Sequence, residues 1–175
     1  MAIIGLYRPK QQLLGPRISV GQKTPYVPEF ASHSQKKLIA FLRHVGCPFA
    51  ENTIKQLKTW SETHRGVDVF VVSHGSLEAT SLWLESIGGL GRLRLIVDED
   101  RRIYGMWGIG YSNLWHFLRP RSLLGVIKLL VQGSRNRRAA GTRWQKAAIF
   151  FVDNHQLQWN FIPVSADDFQ LPELT

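Results

Sequence analysis

Cys47 is the only cysteine among 175 residues, and its neighbours are of the types that activate a thiol. Arg43 and His44 precede it and Pro48 follows it. At that point the chain changes from a strand-like apolar run to a helix-like pattern. A thiol attacks peroxides and disulfides as its thiolate, and a helix N-terminus or a nearby cation lowers its pKa from about 8.5. Pro48 suits the first position of a helix, where its missing N–H costs nothing. Cys47 is therefore expected at the helix cap, facing the positive end of the dipole. It is the candidate nucleophile, with Arg43 and His44 as candidate catalytic residues. His44 and His74, at the ends of successive strands, are both candidate proton donors. The bland alternative for an isolated cysteine is a small buried hydrophobe.

A two-cysteine redox site would carry its second sulfur three residues on, and that position is Ala50. No intramolecular disulfide is possible, so an oxidised Cys47 has to be resolved by an external thiol such as glutathione or a thioredoxin. No His, Cys or carboxylate pair has metal-ligand spacing, and Gly105, Gly108 and Gly110 make no phosphate-binding pattern. Neither a metal nor a bound cofactor is expected.

The elements that position Cys47 follow from periodicity and punctuation. Residues 12–28 carry Gly15-Pro16 and Thr24-Pro25 and read as an N-terminal hairpin or arm. A strand is predicted over 37–43 and a helix over 48–64, with Phe49, Thr53 or Ile54, Leu57 and Trp60 inward. A near-continuous apolar strand over 67–73 suits a parallel sheet covered on both faces. Ser76 caps a helix to Ile87, with Leu77, Thr80, Trp83, Leu84 and Ile87 inward. A strand over 93–97 and a short helix over 101–108 follow. Strands over 147–152 and 157–162 flank a hairpin turn at Asp153-Asn154-His155-Gln156. The order implies an α/β sandwich with parallel strands first and an antiparallel hairpin last. The length suits one domain over 1–175, with an N-terminal arm over 1–35 and an insertion at about 109–142.

The formal charge of +9 is concentrated. From Arg101 to Val152 there are ten Lys or Arg and no Asp or Glu. The same region holds an apolar stretch from Leu123 to Val131, which reads as core packing or as a lid or homodimer surface. Together they suit an anionic, apolar small molecule or peripheral contact with a lipid surface. Nucleic acid is disfavoured, since no recognition motif accompanies the charge. Pro48 and Phe49 beside the thiol, with Trp107, Trp115, Phe117 and Trp144, are the candidate substrate-binding residues. One cysteine, no signal-peptide pattern and no apolar run of about 18 residues make a cytoplasmic protein without a membrane span the expectation.

Four stretches bring a family into view: Arg17-Ile-Ser-Val-Gly-Gln-Lys-Thr-Pro25, Phe41-Leu-Arg-His-Val-Gly-Cys-Pro-Phe49, Ile96-Val-Asp-Glu-Asp-Arg-Arg-Ile-Tyr104 and Trp144-Gln-Lys-Ala-Ala-Ile-Phe-Phe-Val-Asp153. In register over residues 16–165 they resemble the peroxiredoxin-like branch of the alkyl hydroperoxide reductase/thiol-specific antioxidant (AhpC/TSA) family. The resemblance implies a thioredoxin-like, three-layer α/β sandwich with a central mixed sheet, here with a helical insertion. It also implies an antioxidant oxidoreductase, a one-cysteine peroxidase or reductase acting through Cys47. The chain departs from the family pattern where chemistry is carried. Ala40 and His44 replace the Pro and Thr of P-x-x-x-T-x-x-C, and Ala147 or Ala148 stands where an Arg is usual. These departures keep a second expectation open: a thioredoxin-fold protein that binds or converts an apolar small molecule without redox chemistry.

Overall fold

Two apolar runs dictate the centre of the molecule. The structure is a computed structural model that describes residue 10 and residues 13–112, 139–164 and 168–174. Its elements are β1 (Lys36–Phe41), α1 (Pro48–Thr63), β2 (Asp68–Ser73), α2 (Leu77–Ser86), β3 (Arg94–Val97), α3 (Arg102–Met106), β4 (Ala148–Asp153) and β5 (Gln156–Phe161). The last four residues of β1 and the last five of β2 are all buried, as strands covered on both faces must be. Together the strands form a five-stranded sheet in the order β3-β2-β1-β4-β5. β1, β2 and β3 run parallel, β4 is antiparallel to β1, and β5 to β4. This is the mixed three-layer α/β arrangement expected.

Alternate residues of the strands face two separate layers. Leu38, Ala40 and Leu42 meet Ile54, Leu57 and Trp60 of α1 and Trp83 and Leu84 of α2. Ile39, Phe41, Phe70 and Phe150 meet Ile103 and Tyr104 of α3 and Ile18, Val27 and Phe30 of the N-terminal arm. Fully burying one such side chain contributes about 1.5–3 kcal/mol. On α1 the inward position is Ile54, not Thr53. Leu77, expected inward, is exposed, because α2 buries its stripe through Thr80, Trp83 and Leu84.

Both ends of the chain are tied to this frame. The arm pairs with β5 rather than with itself: Gly21 N donates to Leu157 O at 2.7 Å and Leu157 N to Gln22 O at 2.9 Å. Beyond Pro163, residues 168–174 run without helix across the α1 layer, where Trp60 Nε1 donates to Pro172 O at 3.1 Å. Phe169, Leu171 and Leu174 pack there.

The strand ends that lead into the site are held by one side chain. Tyr104 of α3 is fully buried, and its hydroxyl is shared between Leu42 O at 2.7 Å and Val72 O at 2.9 Å. Leu42 N also donates to Val72 O, at 2.9 Å. Burial, with Asp98 nearby, raises the Tyr104 pKa well above its ordinary value, so the hydroxyl stays a donor. Tyr104→Phe removes that donor from a site water does not reach, and should cost about 1–3 kcal/mol in urea unfolding. A loss below about 0.5 kcal/mol, the range of an ordinary surface substitution, would show that Tyr104 does not hold the strand ends.

Candidate active site

The loop from β1 to α1 is built to place a sulfur at a helix cap. His44 O accepts from Cys47 N at 3.4 Å, and Gly46 between them has φ of 82°. A positive φ at the third residue of such a turn is the requirement that glycine meets without steric cost. Cys47 then takes extended backbone angles as the N-cap of α1, with Pro48 at the first helical position. Glu51 N donates to Cys47 O at 3.0 Å, which starts the helix. The cysteine is only 3% exposed.

Opposing forces set the ionisation of this thiol. Burial pushes its pKa up, and it is the largest single influence. Acting against it are His44, as a hydrogen-bonding partner of the thiolate and as a charge, the Arg43 guanidinium, and the Ala50 N–H of the first helical turn. The net result is a pKa lowered to about 7. The neutral thiol makes no capping hydrogen bond with its side chain, so the stabilisation acts on the charged form.

His44 is oriented for this task. Its Nδ1 lies 2.9 Å from Val45 O, and a carbonyl only accepts, so Nδ1 carries the proton. Nε2 is the nitrogen left to exchange a proton with Cys47. A nucleophile, a base and a third group that orients the base recur wherever a thiol is activated. Here the third group is a backbone carbonyl.

Arg43 is buried and lines a small cleft of about 40 Å³ that also reaches Phe49 and Ala50, though Cys47 itself is not in its wall. Phe49 and Ala50 of α1, Ala147, Phe161 and Phe169 share its wall with Asn52, Thr53 and Asp168. Ala147 is one of the two positions, with Ala148, where the sequence resemblance implied an arginine. The antiparallel register pairs Phe41 with Ala148, and Arg43, just past β1, lines the same cleft as Ala147, just before β4.

His74 sits behind this pair as a neutral group. It is 3% exposed, and its Nε2 donates to Thr142 O at 3.0 Å. Burial, together with the nearby charges of His44 and Arg101, lowers its pKa to about 4. Its buried ring holds Thr142 in place. The end of the insertion returns at the same point: Val45 N donates to Ala140 O at 3.2 Å, two residues before the thiol.

The other expected site residues divide. Pro48 and Phe49 flank the thiol, and Phe49 is in the cleft wall. Trp107 is corrected: it packs against Phe30, Phe41 and Phe150 in the layer across the sheet from Cys47. Its position at the end of a one-turn helix turns it inward toward those rings. Trp144 is buried where the insertion is anchored, its carbonyl accepting from Ser112 N at 2.7 Å and Ser112 Oγ at 2.9 Å. Trp115, Phe117 and the Leu123–Val131 stretch lie outside the described residues. Sequence reasoning missed Phe161 and Phe169, which reach the cleft from distant parts of the chain, and Tyr104. Among the described residues no group of three His, Cys, Asp or Glu could hold a metal, and no helix is long and apolar enough to cross a membrane.

Comparison with known proteins agrees with this fold. The family model described as AhpC/TSA antioxidant enzyme matches residues 52–164, a span that begins just after the thiol. A peroxiredoxin-like protein from Aquifex aeolicus is similar in structure, with TM-score 0.62 and 17% identity, covering 89% of this chain and 82% of its own. A thiol peroxidase from Chromobacterium violaceum gives TM-score 0.61 and 15% identity, with coverage of 90% and 83%. AhpC of Mycobacterium bovis gives 0.55 and 16%, with coverage of 89% and 88%. No curated protein matches in sequence.

Two measurements test the electrostatics. The rate of iodoacetamide alkylation of Cys47 should titrate with an apparent pKa of about 7. His44→Gln should move it toward about 8.5 and slow the reaction at pH 7 roughly tenfold; an unchanged titration would remove His44 from the site. His74 has a folded pKa below its unfolded value of about 6.5, so the unfolded chain binds more protons between those values. Stability should therefore be complete above pH about 6.5 and fall by about 3 kcal/mol as pH drops toward 4. Denaturant unfolding of His74→Gln across that range should lose most of the dependence; an undiminished slope would place its cause elsewhere.

Proposed function

The chain belongs to the AhpC/TSA antioxidant enzyme family, and from that premise we propose that it is a one-cysteine, thiol-dependent reductase of small, predominantly apolar hydroperoxides, acting through Cys47. The observation that carries the reading is a buried helix-cap thiol with its pKa lowered to about 7 beside an oriented imidazole and a guanidinium.

In this reading the Cys47 thiolate attacks the distal oxygen of the peroxide. An S–O bond forms, the O–O bond breaks, and the sulfur is oxidised by two electrons to a sulfenic acid. The alkoxide leaves with a proton from His44 Nε2, which is well placed because Nδ1 stays committed to Val45 O. Arg43 steadies the developing negative charge on the oxygens from within the cleft. With Ala50 three residues on and no other cysteine, an external thiol condenses with the sulfenic acid and releases water. A second thiol then frees Cys47 and leaves the reductant as a disulfide. Glutathione or a thioredoxin-type protein fits that role.

The cleft supports the choice of substrate. Its volume of about 40 Å³ and its Phe49, Phe161 and Phe169 walls suit a short alkyl group next to the peroxide.

Hydroperoxide treatment of the wild type should leave a sulfenic acid that a sulfenate-selective probe traps, and the adduct should map to Cys47 by mass spectrometry. Cys47→Ser should abolish thiol-dependent turnover of cumene hydroperoxide, and Arg43→Gln should lower it by about 100-fold, the loss typical of one charge-stabilising donor. Turnover that survives Cys47→Ser would transfer the chain to the non-redox reading.

A further inference from the structure

The cleft that Arg43 lines has walls of two kinds. One is fixed by the regular elements: Leu42 and Arg43 just past β1, Ala50 and Thr53 of α1, and Ile149 of β4. The other is carried by chain that has left the sheet, through Pro163, Asp168 and Phe169. The rings of Phe41, Phe49 and Phe161 in the lining sit on β1, α1 and β5. Phe169 is the one aromatic ring among the described lining residues that no helix or strand carries.

Three observations show how that ring is held. Val164 N donates to Asp168 Oδ2 at 3.0 Å, which ties the terminal segment to the exit of β5. Trp60 Nε1 donates to Pro172 O at 3.1 Å, a buried bond that ties the segment to α1. Between these ties burial alternates: Phe169 and Leu171 are half-buried, while Asp168 and Gln170 are exposed. Such alternation marks extended chain with one face on an apolar surface. Phe169 and Leu171 indeed pack on the α1 layer. The segment is a strap fastened on both sides of Phe169, and it sets that ring in the cleft wall.

We infer, on the hydroperoxide reading of the Cys47 site, that Phe169 is a specificity-determining residue whose ring limits the size of the organic group on the peroxide. Cys47 is outside the wall, but Arg43 and Ala50 are in it, and the guanidinium of the one and the N–H of the other both act on the sulfur. A peroxide that reaches the sulfur between them places its organic group in the cleft. The space there, about 40 Å³, is far below the roughly 300 Å³ at which pockets for drug-sized ligands begin. In so small a space one ring decides which substituents enter, because packed walls yield little and overlap is costly. Compact alkyl hydroperoxides fit, and those carrying a bulky aromatic group are slowed.

The test measures kcat/KM of the full-length protein for tert-butyl and cumene hydroperoxide, which share a tertiary peroxide and differ by a phenyl group in place of a methyl. The series Phe169→Trp, Phe169→Leu and Phe169→Ala should raise the cumene-to-tert-butyl ratio in that order, with Ala at least about fivefold above wild type and Trp below it. A second readout needs no turnover: the rate of Cys47 alkylation by N-benzyliodoacetamide relative to iodoacetamide should follow the same order. Loss of packing alone would change both reagents alike and leave the ratio where it was. Ratios that stay within about twofold of wild type across the series, in a protein that reduces both hydroperoxides, would overturn the size limit and leave the hydroperoxide reading standing. An alkylation ratio that follows the series, in a protein that reduces neither hydroperoxide, would uphold the size limit and remove that reading.

Discussion

Everything around Cys47 is organised by the difficulty of keeping a charge on a buried sulfur. Removing a thiol from water favours its neutral form, and here that pull is the strongest single influence on it. The chain offsets it with three groups close in sequence: His44, Arg43 and the first amides of α1. A hydrogen-bonded turn through Gly46 brings the imidazole back toward the sulfur, and Pro48 starts the helix without requiring a donor. The same burial that opposes ionisation also strengthens each favourable contact, because water does not screen it. A pKa near 7 is the balance of these opposing effects.

That balance requires the strand ends and loops to stay close. Tyr104 ties Leu42 to Val72 from one layer, and His74 ties Thr142 from behind. The segments approach so tightly that two glycines are needed between them. A Cβ at Gly75 would lie 2.7 Å from the Val45 side chain, and one at Gly141 would lie 2.6 Å from the His74 ring. The loop carrying the thiol, the end of β2 and the return of the insertion thus form one packed unit. His74 packs within it, bonded to Thr142 O, with its pKa lowered by burial.

Much of this was legible in the sequence where the signal is local. The apolar runs of β1 and β2, the Gly46-Cys47-Pro48 junction and the Asn154-His155 turn each specify their own backbone, and the elements fall within a few residues of the expected places. What was not legible depends on neighbours far apart in the chain. Trp107 ends a helix of five residues, too short for periodicity to say which layer it enters. Tyr104 donates to two backbone carbonyls, which leave no mark on residue type. That Arg43 and Ala147 line one cleft becomes visible only through the pairing of β1 with β4. Phe161 and Phe169 reach the cleft from the end of β5 and from the terminal segment, with no motif linking them to Cys47.

The arrangement also explains why access to the thiol is narrow. A wide opening would hydrate Cys47, relax its burial and weaken the influence of His44 and Arg43, since both act through a poorly screening medium. A sealed site would keep the charge and exclude the substrate. The structure sits between these limits: Cys47 is 3% exposed, and a cleft of about 40 Å³ lies beside its neighbours Phe49 and Ala50. Its wall is partly terminal segment, held through Trp60 to Pro172 rather than by a helix of its own. Part of the cleft wall is therefore supplied by a segment without regular secondary structure, pinned to α1.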